Sequence, residues 1–345
     1  MASTVKLKDI AEAVGVTAKT VSYVMNNDYK HASEDTCAKI KSAAKKIGYL
    51  SDAIARAMVT GKSNVIGFIS GNIKDEPAAA IINGAMRRAA ETNHFIKHFH
   101  HGEDTTPDEL SRQCLSQKIS GVICYNVGAE FLGGLVGKLE EAGIPAAIVG
   151  SSDFSEAAAH ITSSDSEGER LVVEHLHGLG HRLIAHLGSD FSKPYSRDRR
   201  DAYLGTVASL GLDIPEHYYF ASPVYERRME FLERLFVEKT CPAPTAITCS
   251  DDALAVATIT FLGGHGLKVP KDVSVAGYGN LEIGNGIVPP LTTVSESYSE
   301  MGAKAVKLLL ASVASREICR KKDIFNVSLI VRGSTGQATK EKDEA

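Results

Sequence analysis

Apolar positions in the first fifty residues recur with the period of a helix. Leu7, Ile10, Ala11 and Val14 fall at i, i+3, i+4 and i+7 and describe one buried stripe. Gly15 permits a sharp turn, and Thr17 is placed to cap the next helix by accepting an early N–H. Val21, Val24 and Met25 give that second helix its apolar face, with Ala18, Lys19, Ser22 and Tyr23 on the other side. A third helix is predicted from the Ser33 cap through Cys37, Ile40, Ala44 and Ile47 to a stop at Gly48. Two helices joined by a tight glycine turn, with a third packed behind, describe a helix-turn-helix.

After Val65 the period changes. Apolar runs at 65–70, 95–99, 121–125, 145–149 and around Ile161 read as strands, with helices predicted over 78–92, 108–117 and 131–142. A second series follows, with strands over 183–187, 246–249 and 273–277 and helices over 168–179, 198–210, 227–239 and 252–262. The chain then runs through Val288-Pro289-Pro290-Leu291-Thr292-Thr293-Val294 to a helix over 301–315 and a strand over 325–331. Strands separated by helices of this length imply right-handed crossovers and parallel sheets covered on both faces, so two series imply two doubly wound α/β lobes. Between head and body, residues 51–62 are Ala-rich and helix-capable but too short to be stable alone.

Charge sharpens this division. The whole chain of 345 residues has a formal net charge of −4. Residues 1–62 hold ten Lys/Arg against six Asp/Glu, a net of +4, and the rest holds 28 against 36, a net of −8. A basic head on an acidic body confines any nucleic-acid contact to the head. The six cysteines are scattered, without metal-ligand spacing, and read as reduced thiols. Residues 1–6 lack an apolar leader and no run approaches the length of a membrane span, so the expected location is cytoplasmic, with no membrane partner. His98, His100 and His101, with His94 and Glu103 nearby, form a histidine cluster whose expected role is a surface strand end, with no metal bound. No nucleophile triad or phosphate-binding glycine loop is present, so neither enzyme activity nor a cofactor is expected.

The residues Leu7-Lys8-Asp9-Ile10-Ala11, Gly15-Val16-Thr17, Thr20-Val21-Ser22 and Ile47-Gly48-Tyr49 resemble the headpiece of the LacI/GalR family of bacterial transcription regulators. In the body, Gly178-Leu179-Gly180-His181-Arg182, the run 269–277 and the run 289–294 match in register, so the resemblance covers about residues 5–335. It implies a headpiece over 1–50, a hinge helix over 51–62 and a periplasmic-binding-protein-like body. The body lobes are expected at 63–161 plus 292–320 and at 162–291 plus 321–335, with a disordered tail over 336–345. It implies base reading by Ala18, Lys19 and Tyr23, and phosphate contacts from Thr17, Thr20, Ser22 and Asn26. Ala55, Arg56 and Met58 fall at the hinge positions that enter the minor groove, Met58 as the wedge; a plain linker is the competing reading.

Ligands of open α/β lobes bind outside the carboxyl ends of the strands. Asn72, Lys74, Tyr125, Ser151, Tyr195, Arg199, Asp251, Tyr278 and Asn280 lie there, with Arg199 and Asp251 also matching effector-binding positions of the family. The chain departs from the family pattern at Asp75-Glu76-Pro77-Ala78, where an aromatic platform is expected to be missing, and at Gly279, where an Asp is usual. The resemblance thus implies a homodimeric repressor of a carbohydrate-utilisation operon, bound to a palindromic duplex operator and modulated by a sugar or sugar derivative. The competing readings are a regulator controlled by a protein partner, with a vestigial cleft, a solute-binding protein, and an enzyme.

Overall fold

The computed structural model describes residues 6–25, 29–47, 63–102, 104–150, 153–154, 159–238 and 241–338. The chain divides after Asn64 into two compact units. The first holds α1 (Leu7–Val14), α2 (Ala18–Met25) and α3 (Glu34–Lys46). Gly15 closes α1 at φ +74°, a left-handed conformation that a Cβ disfavours, and its N–H reaches the Ala11 carbonyl. Thr17 Oγ1 accepts the Thr20 N–H at 3.1 Å, and Ser33 Oγ accepts that of Thr36, so both predicted caps form. Ile10, Ala11, Val21, Val24, Cys37, Ile40 and Ala44 fill the small core between the three helices.

The second unit is a pair of parallel-sheet lobes. The first sheet orders its strands β11-β5-β4-β3-β1-β2, comprising β1 (Val65–Ser70), β2 (Phe95–His100), β3 (Gly121–Tyr125), β4 (Ala146–Val149), β5 (Ala159–Ser163) and β11 (Lys322–Phe325). The second orders β12-β10-β9-β8-β6-β7, comprising β6 (Ile184–Gly188), β7 (Tyr219–Ala221), β8 (Ala246–Cys249), β9 (Ser274–Gly279), β10 (Thr292–Ser295) and β12 (Ser328–Ile330). All pairings are parallel except β10 with β12.

Strand alternation separates the cores. Along β1, Ile66 and Phe68 face α4 (Glu76–Glu91) and α12 (Tyr298–Ser315), while Ile69 faces α5 (Pro107–Ser116) and α6 (Ala129–Glu141). The second sheet is covered by α7 (Asp165–Gly178) and α8 (Pro194–Ser209) on one face. Its other face carries α9 (Tyr225–Phe236) and α10 (Asp252–Gly264), and the short α11 (Glu282–Asn285) follows β9. Helices α4 and α12 approach backbone to backbone at two glycines. A Cβ on Gly84 would overlap the Ser299 carbonyl, and one on Gly302 would overlap that of Ile81.

Sheet pairing corrects two expected lobe boundaries. Thr292–Ser295 pairs with β9 and so belongs to the second lobe, not to 292–320 of the first. Lys322–Phe325 pairs with β5 in the first lobe, not with the second. The strand expected over 325–331 is two strands, one in each sheet, with the chain crossing between lobes at Asn326–Val327. Residues 336–338, expected in the disordered tail, are held to the second lobe: Ala338 N–H donates to the Leu179 carbonyl and Gly336 N–H to Ser274 Oγ. The segment 51–62 and residues 339–345 lie outside the described residues.

Candidate functional site

The head presents α2 as its candidate reading helix. Val21 and Val24 are buried, which turns Ala18 and Lys19 fully outward and leaves Thr20, Ser22 and Tyr23 at partial exposure. Thr17 and Thr20 bring their hydroxyls within 2.9 Å of each other at the helix start, so two of the four expected phosphate-contacting residues sit together. The Tyr23 ring packs against His31 with centroids 4.2 Å apart, and Lys19 Nζ lies 5.9 Å from the Tyr23 ring centroid. The expected base-reading residues therefore share one surface. Asn26, Ala55, Arg56 and Met58 lie outside the described residues.

The body carries a cavity of about 310 Å³ at the carboxyl ends of both sheets. That lies within the ~300–1,000 Å³ usual for small-molecule sites. Five of the expected effector residues line it: Tyr125, Tyr195, Arg199, Asp251 and Tyr278. Three expected residues are placed elsewhere. Asn72 and Lys74 are exposed, and Asn72 Oδ1 accepts the Lys74 N–H in a local turn. Asn280 sits at φ +52° and accepts from Arg332 at 2.7 Å, which makes it a loop support. Ser151 lies outside the described residues.

The cavity adds residues that periodicity did not single out: Asp75, Asp165, Ser163, Glu296 and Tyr298. With Tyr125, Tyr195 and Tyr278, Tyr298 makes a four-tyrosine lining, so the aromatic surface expected to be missing at 75–78 is supplied by other elements. Ser164-x-x-Glu167 was an available signal for Asp165. Ser164 Oγ accepts the Glu167 N–H at 3.4 Å, so α7 starts at Asp165 and carries it to the cavity.

Arg199 is the centre of the arrangement. Its Nε donates to Asp165 Oδ1 at 2.7 Å, one terminal nitrogen reaches Asp165 at 2.6 Å and Glu296 at 3.3 Å, and the other donates to the Ser250 carbonyl at 2.5 Å. The guanidinium carbon lies 3.4 Å from the Tyr278 ring centroid and 5.1 Å from that of Tyr195. Burial opposes the charge of Arg199, but Asp165, Tyr278 and Glu296 hold it protonated. Glu296 also accepts from Ser163 Oγ and Tyr298 OH. Burial nevertheless pushes its carboxyl above the ordinary range, against the pull of Arg199.

Asp75 follows β1 and accepts from Tyr125 OH at 3.4 Å; burial raises its pKa, the Tyr125 bond opposes this, and the nearby charge of Asp251 adds to it. Asp251 caps α10 by accepting the Leu254 N–H at 2.8 Å. Its neighbour Asp252 is turned inward, bound by Thr293 Oγ1 and the Leu281 N–H, and has a structural role. Across the cleft mouth the lobes are bridged by Arg197 to Asp153 at 2.6 Å and by the Glu282 N–H to Glu76 at 2.7 Å. His98 lies 3.1 Å from Ser70 Oγ, and among the described residues no group of three His, Cys, Asp or Glu is placed to hold a metal. Among them, too, no helix is long and apolar enough to cross a membrane.

A helix-turn-helix with an outward second helix, followed by a two-lobed body with a polar cleft, defines a DNA-binding regulator on a binding-protein scaffold. Residues 6–52 match the description "Bacterial regulatory proteins, lacI family", and residues 173–335 match "Periplasmic binding protein-like domain". The chain thus carries a lacI-family helix-turn-helix domain and a periplasmic-binding-protein-like domain, and is a DNA-binding transcriptional repressor, not an enzyme. It is 25% identical to the HTH-type transcriptional repressor PurR of Mannheimia succiniciproducens, over 95% of this chain and 98% of that protein. It is also 25% identical to PurR of Actinobacillus pleuropneumoniae serotype 3, over 89% and 90%. A lac repressor dimer bound to operator and an anti-inducer superposes with a TM-score of 0.79 at 24% identity, covering 97% of this chain and all of that one. A CelR–cellobiose complex superposes with a TM-score of 0.70 at 21% identity, covering 96% and 99%. These two structural likenesses establish the fold.

Proposed function

We propose that this repressor acts in the cytoplasm as a homodimer on a pseudo-palindromic operator, and that a small hydroxylated molecule, a carbohydrate in the simplest case, sets its affinity for DNA from the body cleft. The regulated genes are then those of a carbohydrate-utilisation operon. The observation that carries the effector reading is the polar cavity at the carboxyl ends of both sheets, where Tyr, Asp, Glu and Arg side chains from the two lobes converge. A ligand held by both lobes favours one lobe arrangement over another, and differential affinity for two arrangements is what a regulatory ligand requires.

The dimer follows from the size of the head: a single three-helix unit makes too few contacts for specific affinity, and two half-sites are needed. In this reading Ala18, Lys19 and Tyr23 meet base edges, and Thr17, Thr20, Ser22 and Asn26 hold phosphates. Ala55, Arg56 and Met58 enter the central minor groove, with Met58 as an apolar wedge.

The test is selection of binding sites from random duplexes with the full-length chain, followed by gel shift at graded salt with and without a panel of sugars. The expected result is a two-fold symmetric site whose occupancy falls steeply with salt and changes with one class of sugar. Binding without sequence preference would sink the operator assignment; selective binding indifferent to every small molecule would sink the effector assignment.

A further inference from the structure

We propose that the ligand of the body cleft is a hydroxylated amine, an amino sugar in the simplest case, held as its ammonium between Asp75 of one lobe and Asp251 of the other. This rests on the reading of the cavity as an effector site. The lining carries four carboxylates, Asp75, Asp165, Asp251 and Glu296, against one guanidinium, Arg199, and among the described lining residues there is no lysine or histidine. Arg199 already spans Asp165 and Glu296, so its positive charge is committed to those two. Among the described lining residues no second cation is present for Asp75 and Asp251, which face one cavity close enough for the charge of Asp251 to act on Asp75.

An unbalanced negative field in a half-enclosed cavity disfavours anions and rewards a cation far more than bulk water does. Sugar phosphates and sugar acids are therefore excluded. A neutral polyol satisfies the carboxylates as acceptors but leaves their charge uncompensated. An ammonium donates up to three hydrogen bonds, one or more to each Asp, and Tyr125 and Tyr195 line the same cavity. The hydroxyls of the same molecule face Tyr298 and the Arg199 group. Because Asp75 and Asp251 belong to different lobes, the cation removes their mutual repulsion only when the lobes are closed.

The test is calorimetric titration of the full-length protein at pH 7 with glucosamine, galactosamine and mannosamine. Each is compared with its neutral parent and its N-acetyl derivative, alongside glucose 6-phosphate and adenine. One amine should bind about tenfold or more tighter than its parent, since hydrogen bonds to charged groups exceed neutral ones by that order. Glucose 6-phosphate should give no heat. Asp75→Asn and Asp251→Asn, which keep the acceptor for Tyr125 and the cap for α10, should each reduce that preference to about threefold or less with unchanged melting. Equal or tighter binding of a neutral sugar, of adenine or of glucose 6-phosphate would overturn the proposal and leave the cleft a small-molecule site. Silence across the whole panel would overturn both.

Discussion

Replacing Arg199 by Met tests what holds the body together. The Arg199, Asp165 and Glu296 side chains are only 4–6% exposed. Their geometry is good: two nitrogens within 2.7 Å of Asp165, one at 3.3 Å from Glu296 and one at 2.5 Å from the Ser250 carbonyl. Met keeps much of the volume against Tyr278 and deletes the charge. Two largely buried carboxylates then remain without a cation, and breaking a buried pair in this way costs about 3–5 kcal/mol. The chain has no tryptophan, so unfolding is best followed by circular dichroism in urea, reading the transition of the body.

The pH dependence of the variant gives an independent check. In the native protein Arg199 pulls the Glu296 carboxyl down against burial, which still leaves it raised. Without Arg199 the carboxyl rises further. A raised carboxyl in the fold means that protonation favours the folded state, so the variant recovers stability as pH falls from 7 towards 4. The expected result is a loss of about 3–5 kcal/mol at pH 7 that shrinks at pH 5. A loss under about 1 kcal/mol, the scale of an exposed pair, or one identical at both pH values, would refute the buried-triad account.

Lys19→Ala should relax discrimination by about 1–3 kcal/mol at one base pair, whereas Thr20→Ala should weaken all sequences alike; competition gel shifts with single-base operator variants separate the two, and matching spectra would defeat the division of roles. Gly302→Ala drives a methyl into the Ile81 carbonyl and should cost about 1–3 kcal/mol or more. Gly137→Ala, in the same kind of helix but with open space around it, should be neutral or stabilising by up to about 1 kcal/mol. Equal urea midpoints for these two variants would refute the close crossing of α4 and α12. Burial pushes the Asp252 carboxyl up to about 6, opposed by its bonds from Thr293 and the Leu281 N–H. It therefore contributes stability that is complete below pH 4 and is lost as pH rises through 6, roughly 3 kcal/mol for two units. Asp252→Asn should show a flatter stability profile between pH 4 and 7 than the parent; parallel profiles would contradict this.

The sequence made the parallel lobes legible because their strands are continuous apolar runs broken by amphipathic helices, a signal that survives without any tertiary knowledge. Three body helices start earlier than their apolar periodicity predicts. Glu76 was expected at 78, Asp165 at 168 and Pro194 at 198, although Pro77, Ser164 and Pro194 are start signals. The split of the strand expected over 325–331 had no local mark, since Phe325, Val327, Leu329 and Ile330 continue one apolar pattern across the crossing. Only the pairing partners decide it. For the cleft, residues at strand ends such as Tyr125 and Tyr278 were accessible from topology alone. Glu296 and Tyr298 were not, because they lie where the chain passes between lobes, and no periodicity marks such a segment.

Where those residues lie explains why one arginine has such weight. Glu296 sits at the second crossing between lobes and Asp165 directly after the first. Arg199, from α8 of the second lobe, ties the two together, and Ser163 at the end of β5 donates to Glu296 across the same gap. The four groups that join two of the crossings are thus also part of the cavity wall. If the proposed effector hydrogen-bonds to any of them, it alters the balance of charge and hydrogen bonding at the crossings themselves, and one set of atoms then serves both binding and lobe arrangement. Coupling then needs no long relay through the core: differential contact with two lobe arrangements arises at the site where the chain bends.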